Sequence, residues 1–297
     1  MNRLFSILLL SVCIFVSNTV CAQKTPLPPP DMADVSYGPD ERNVMDIWFA
    51  ESSSPTPLVV YIHGGGFRNG SKKSLKSKTL ATLLEAGISV AAINYRFVTT
   101  APLPAPHYDG LRAVQYIRHH ATEWNIDKER LGAFGGSAGA QICMWLAFSD
   151  EMANPSADDP IERESSRLSC VATNGGQTTL NLDLWVEWIP GYDKPHIDPS
   201  SISSLDSDGD YRQEAKKISA IDLISADDPP LFMTYGMAPD APIPTNEKRA
   251  FGWKIHHVIF GIKLKEKMDE LGVEADLSYP GAETVYQSRI DFFQANL

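Results

Sequence analysis

Ser137 stands in Gly135-Gly136-Ser137-Ala138-Gly139, a Gly-x-Ser-x-Gly pattern. The apolar run Leu131-Gly132-Ala133-Phe134 precedes it, and Ala140 to Leu146, which reads as helix, follows it. Between a strand and a helix this pattern makes a turn so sharp that glycines must flank the serine, and its hydroxyl then stands clear of the sheet as a nucleophile. The chemistry such a hydroxyl performs is acyl transfer through a covalent intermediate. Upstream lies a second glycine motif, His63-Gly64-Gly65-Gly66-Phe67, at the end of the apolar run Leu58 to Ile62. Its backbone N–H groups, with Gly65 and Gly66 as the chosen donors and Ala138 as the third, suit the oxyanion of an acyl-transfer intermediate. Either motif alone reads equally well as a tight strand-to-helix turn. Both together, in this order, point to an acyl hydrolase.

The elements that must hold these motifs alternate. Leu58–Ile62, Ile88–Tyr95, Leu131–Phe134, Leu168–Thr173, Leu231–Gly236 and Ala275–Tyr279 read as buried strands, and 74–86, His107–Trp124 and the stretch after Ser137 to about Phe148 as helices. Two short strands, Val35–Gly38 and Asn43–Ala50, flank the turn at Pro39-Asp40-Glu41-Arg42. This alternation predicts an α/β fold with a doubly wound, mostly parallel sheet, in which ligands bind at the carboxyl ends of the strands. Between 177 and 219 the pattern breaks, and the stretch with Trp185, Trp188, Tyr192 and the acidic Asp206-Ser207-Asp208-Gly209-Asp210 reads as a small cap insertion. Its aromatic rings suit stacking on an aryl or sugar ring, or equally the packing of the cap itself. One domain over 35–297 is expected, preceded by a Pro-rich linker over 23–34.

The first 22 residues read as a cleaved signal peptide: Arg3, the apolar run Leu4 to Val16, and Val20-Cys21-Ala22 before Gln23. A periplasmic or secreted protein is expected. Removal of this segment leaves Cys143 and Cys170, both in apolar surroundings and read as buried thiols. No Cys-x-x-Cys or His-x-x-x-His spacing suggests a metal site. The net charge of −11 argues against nucleic acid and anionic membrane surfaces as partners.

The combination of His63 to Phe67, Ala91 to Arg96, Ile126 to Gly132, the Ser137 elbow and Asp228-Pro229-Pro230-Leu231 resembles α/β-hydrolase esterases of the hormone-sensitive-lipase-like and feruloyl-esterase-like (BD-FAE-type) group. The resemblance implies an α/β-hydrolase fold and a serine esterase of small, aryl or carbohydrate-linked acyl esters that uses no cofactor. It also implies an acid after the Leu231–Gly236 strand, a place matched by Asp240 with one extra loop residue. Asp227 and Asp228 precede that strand and read as loop caps.

The base departs from the family pattern. Relatives carry histidine after the last strand, where this chain has Tyr279-Pro280-Gly281-Ala282-Glu283-Thr284, with Thr284 at the expected place. Threonine cannot take the serine proton near neutral pH. One reading moves the base to His257, on the apolar face of a helix expected to run from His256 to Leu271, with His256 as the weaker candidate. The other reading is a pseudo-hydrolase that binds a ligand without turnover. His63, which shapes the glycine loop, and His107 and His196 fit the role less well. A peptidase of related fold ranks third, since the chain has no room for a propeller-sized companion domain.

Overall fold

The computed structural model describes residues 26–196 and 210–297. The expected signal peptide, the start of the linker and residues 206–209 of the acidic run lie outside them. Among the described residues eight strands form one sheet: β1 (Met32–Ser36), β2 (Val44–Trp48), β3 (Thr56–Ile62), β4 (Ser89–Ile93), β5 (Ile126–Gly136), β6 (Cys170–Asn174), β7 (Leu231–Thr234) and β8 (Ala275–Ser278). Their order in space is β1-β2-β4-β3-β5-β6-β7-β8. The β1–β2 and β2–β4 pairs are antiparallel and all the others parallel.

Central strands must be covered on both faces, and their sequences comply: every residue of β4 is buried, as are Leu58, Val59, Val60 and Ile62 of β3. The covering helices are α1 (Ser77–Glu85), α2 (Ala105–His120), α3 (Ala138–Phe148), α4 (Leu182–Trp188), α5 (Tyr211–Lys216), α6 (Ala220–Leu223), α7 (Glu247–Ile255), α8 (Ile259–Leu271) and α9 (Arg289–Asn296). All eleven residues of α3 are buried, which explains its apolar Ile-Cys-Met-Trp-Leu-Ala-Phe run. Cys143 in this helix and Cys170 in β6 are buried free thiols, as expected. Among the described residues no helix is long and apolar enough to cross a membrane.

After β3 the chain goes to β4 on one side, and after β4 it returns to β5 on the other side of β3. The switch point therefore lies between β3 and β5, where Ile62 pairs with Gly135, so the glycine loop and the serine turn emerge side by side. Lys72, buried just beyond the glycine loop, ties that loop to the first hairpin. Its ammonium pairs with Asp34 at 2.7 Å and with Asp46, and its N–H donates to Asn94 Oδ1 at 2.7 Å.

One expected element differs. The helix read from His256 to Leu271 is two helices: α7, capped by the Asn246 side chain, ends at Ile255, and α8 begins at Ile259. His256 takes φ −121° and ψ 27° at the end of α7. Because the chain breaks here, a single helical wheel does not relate residues 256 and 257 to α8.

Gly139 sets how closely α3 approaches the sheet. A Cβ there would lie 2.1 Å from the Ile62 carbonyl oxygen and 2.7 Å from that of His63, both fixed backbone atoms. Gly139→Ala is therefore expected to lower unfolding stability by about 3 kcal/mol or more, read as a fall in the urea midpoint. Gly252, inside α7 with no atom within 4 Å of an added Cβ, serves as the control. Gly252→Ala should raise stability by about 1 kcal/mol through helix propensity alone.

Candidate active site

Ser137 caps the N-terminus of α3 with φ 52° and ψ −120°, a backbone conformation that costs energy in a non-glycine residue and persists only where the surroundings impose it. Its N–H donates to the Asn174 carbonyl at the end of β6 (3.0 Å), and its own carbonyl accepts from Gln141 one turn into the helix (3.1 Å). The side chain is thereby aimed away from the sheet.

On the neighbouring loop Gly65 takes φ 123°, and an added Cβ would fall 2.0 Å from the Asn69 carbonyl oxygen. Its carbonyl accepts from the N–H groups of Arg68 (3.0 Å) and Asn69 (3.2 Å), closing a tight turn. Among the described residues the N–H groups of Gly65, Gly66 and Ala138 donate to no protein acceptor. Gly66 and Ala138 line the same chamber as Ser137. His63 props this loop from beneath. Its ring stacks on Tyr95 at 4.2 Å, its Nδ1–H donates to the Gly64 carbonyl (2.7 Å), and the Tyr95 hydroxyl donates to its backbone carbonyl (2.8 Å). Burial pushes its pKa down to about 4, so it stays neutral and structural. His107, buried against Phe67 and Trp145 and held near 3 by burial, is a second neutral strut.

The histidine that meets the serine is His256. Its Nε2 lies 3.0 Å from Ser137 Oγ, and its Nδ1 lies 3.0 Å from the carbonyl oxygen of Gly252, one helical turn back in α7. A carbonyl only accepts, so Nδ1 carries the ring proton and Nε2 presents a bare lone pair to the serine hydroxyl. That is the tautomer a general base needs. Gly175, after β6, lies against the other side of the ring, where an added Cβ would sit 3.4 Å from Cδ2. Burial lowers the His256 pKa below its ordinary value of 6.5, with the Gly252 hydrogen bond acting the other way.

Two expectations are corrected here. His257 does not face Ser137. Its Nδ1 accepts the N–H of Ile259 (3.1 Å) at the start of α8, and its ring lies edge-on to Trp253 at 4.4 Å. The apolar side chosen for it is real, since His257 is only 2% exposed, but that side packs into the core rather than into the cleft. Asp240 does not orient the base either. It is exposed on the turn after β7, and both nitrogens of His256 are already engaged by Gly252 and Ser137. A backbone carbonyl occupies the place expected of a carboxylate. The Gly252–His256 spacing of one helical turn was the available signal, and it required α7 to be recognised.

Thr284, half-buried beyond β8, lines neither of the spaces beside Ser137. Asp227 and Asp228 act as read: they pair with Arg167 at 3.0 and 3.2 Å, and Asp228 also accepts the Ser225 N–H.

Those two spaces differ in character. One is a chamber of about 130 Å³ walled by Phe67, Val98, Leu103, Leu182, Trp185 and Ile255, with Gln141, Gln177 and His196 among its polar residues. The other is a more open cleft bounded by Asn174, Met237, Arg249, Trp253 and His256. Trp185 thus faces the chamber while its indole N–H donates to the Thr179 carbonyl (2.9 Å), and Tyr192 is turned to His196, its hydroxyl 2.6 Å from Nδ1. Among the described residues no group of His, Cys, Asp and Glu is arranged to hold a metal ion.

Comparison with known proteins places this site in context. The chain is 25% identical over 224 residues to the esterase LipQ of Mycobacterium tuberculosis (strain ATCC 25618 / H37Rv), which covers 74% of this chain and 51% of LipQ. The chain spans about half the length of the curated relatives it matches. A truncated form of a carbohydrate esterase from gut microbiota superposes with a TM-score of 0.68 at 22% identity, covering 93% of this chain and 98% of that one. An esterase of Thermogutta terrifontis with butyrate bound gives 0.56 at 19% identity, covering 80% and 78%. At these identities the two structures establish the α/β-hydrolase fold. The BD-FAE family model matches residues 45–254, which takes in both glycine motifs and Asp240 but stops short of His256. With more than half of its length matched, the chain belongs to the BD-FAE family.

Proposed function

We propose that the protein is an exported serine hydrolase of carboxylic esters that works through an acyl-enzyme on Ser137, with His256 as its base. The observation that carries this reading is the 3.0 Å contact between His256 Nε2 and Ser137 Oγ, in the tautomer fixed by Gly252. In the first step Ser137 Oγ attacks the ester carbonyl carbon while its proton passes to Nε2. The oxyanion that forms is met by the N–H groups of Ala138 and Gly66, with Gly65 setting the turn that aims them. Collapse expels the alcohol, which takes the proton from Nε2, and water then repeats the sequence to release the acid.

The two spaces divide the substrate. The proton must return to the leaving oxygen, so the alcohol departs along the open cleft that His256 lines, and the acyl group occupies the chamber on the opposite side. A volume of about 130 Å³ is close to that of cavities that take a benzene-sized group, which favours short acyl chains. The open cleft leaves room for a bulky alcohol, and the carbohydrate esterase among the structural neighbours suits that reading. Export rests on the sequence of residues 1–22. The binder-only alternative draws on one observation: among the described residues no carboxylate pairs with the His256 ring. The same assays decide it.

Ser137→Ala should abolish both p-nitrophenyl acetate hydrolysis and labelling by a fluorophosphonate. His256→Ala should lower kcat by roughly 10²- to 10⁴-fold, the usual contribution of a general base. His257→Ala and Asp240→Ala should leave kcat within about threefold of wild type, though His257→Ala should lose about 2 kcal/mol of stability with its buried packing. Equal loss in the His256 and His257 variants at full folding would contradict the assignment.

Activity requires neutral His256, and burial holds its pKa below 6.5. The acid limb of kcat/KM should therefore have its midpoint below 6.5, with rate present above it and lost as pH falls through it. A midpoint above 6.5 would contradict the buried ring held by the Gly252 carbonyl.

A further inference from the structure

The end of α7 leaves a carbonyl that the helix itself does not satisfy. In a continuing helix the Ile255 carbonyl would accept the N–H of Ile259, four residues on. That N–H is turned to His257 Nδ1 instead, at 3.1 Å, where the chain breaks before α8. The Ile255 carbonyl takes its hydrogen bond from a side chain outside the helix, Gln177 Nε2. Because a carbonyl only accepts, the NH₂ of Gln177 must face it. The Gln177 oxygen then faces Gln141, whose Nε2 donates to it at 2.9 Å.

Gln177 is buried and held from both sides. The Gly175 N–H donates to the Thr234 carbonyl (2.8 Å), the Tyr235 hydroxyl to the Gly176 carbonyl (2.6 Å), and the Thr178 hydroxyl to the Phe260 carbonyl in α8 (3.0 Å). Gln141 is tied to the serine turn, its N–H on the Ser137 carbonyl at 3.1 Å. What Gln177 grips is the peptide that joins Ile255 to His256. The N–H of that same peptide shares the Gly252 carbonyl (3.2 Å) with the ring Nδ1 of His256 (3.0 Å). Because a peptide is planar, holding its oxygen and its N–H fixes where the His256 ring starts from, relative to Ser137 Oγ.

We infer that Gln177 is a positioning residue for His256: its amide holds the Ile255–His256 peptide so that Nε2 stays on Ser137 Oγ. The inference rests on the ester-hydrolase reading of the same site. The role requires no contact between Gln177 and substrate. A reacting group displaced by about 1 Å can cost on the order of a hundredfold in rate, so a distant hydrogen bond that prevents such a shift matters to catalysis.

The test compares kcat/KM for ethyl acetate and p-nitrophenyl acetate. Both need His256 to take the Ser137 proton. Ethanol must also receive that proton from Nε2 in order to leave, whereas p-nitrophenolate leaves without it. Both esters deliver an acetyl group, so any part Gln177 plays as a wall of the chamber cancels in their ratio, and so does a smaller folded fraction. Gln177→Leu removes the donor and the acceptor. Gln177→Glu keeps the size and the acceptor for Gln141, but above about pH 7 its carboxylate offers the Ile255 carbonyl no proton. In both variants kcat/KM for ethyl acetate should fall by roughly 10- to 100-fold, and the loss on p-nitrophenyl acetate should be at least about threefold smaller. If Gln177→Leu does not fold, Gln177→Glu carries the test. Equal losses on the two esters, or no loss, overturn the inference and leave the ester-hydrolase reading intact. A wild-type protein that hydrolyses neither ester overturns both.

Discussion

The hydrogen bond from His256 Nδ1–H to the Gly252 carbonyl is the interaction on which the site depends. It fixes the tautomer, and through the tautomer the direction of the 3.0 Å contact with Ser137. In serine hydrolases with a carboxylate in this position, the negative charge both orients the ring and stabilises the imidazolium formed at the transition state. A neutral carbonyl performs the first task fully. For the second it supplies only a dipole, which implies a more modest base and a pKa governed by burial rather than by a neighbouring charge. In the proposed mechanism the last turn of α7 thus takes part through its backbone.

The remaining architecture serves to bring that turn to the serine. The sheet's switch point places the β3 and β5 loops side by side, and Gly139 lets α3 seat against the Ile62 and His63 carbonyls. The Ser137 backbone bond to Asn174 joins the serine turn to β6, while Gly175, directly after β6, shapes the space filled by the His256 ring. The Gln141–Gln177–Ile255 relay then spans from the helix that follows Ser137 to the residue just before His256. Ser137 and His256, the proposed nucleophile and base, come from elements far apart in sequence, yet three independent contacts fix their separation.

What could be read from sequence was what is written locally. The Ser137 elbow and the His63 to Phe67 loop need particular residues at consecutive positions, so the motifs themselves state the geometry. The buried strands β3 and β4 are equally legible because their apolar runs admit no solvent-facing register. The proposed base was not legible in the same way. Its choice turned on whether the chain between Trp253 and Ile259 continues as one helix or breaks, and the apolar periodicity of α8 concealed the end of α7. His257 looked better than His256 because it shares the apolar face, but burial on that face is what removes it from the cleft. The orienting group escaped notice for a simpler reason: a backbone carbonyl has no residue type to find.

The most direct measurement is a crystal structure of the protein phosphonylated on Ser137. The account predicts His256 Nε2 within about 3.2 Å of an oxygen on the phosphorus centre, with Nδ1 still on the Gly252 carbonyl and the phosphoryl oxygen held by the N–H groups of Ala138 and Gly66. A structure in which His257 or another residue approaches the adduct, or in which a carboxylate has moved onto Nδ1 of His256, would contradict it.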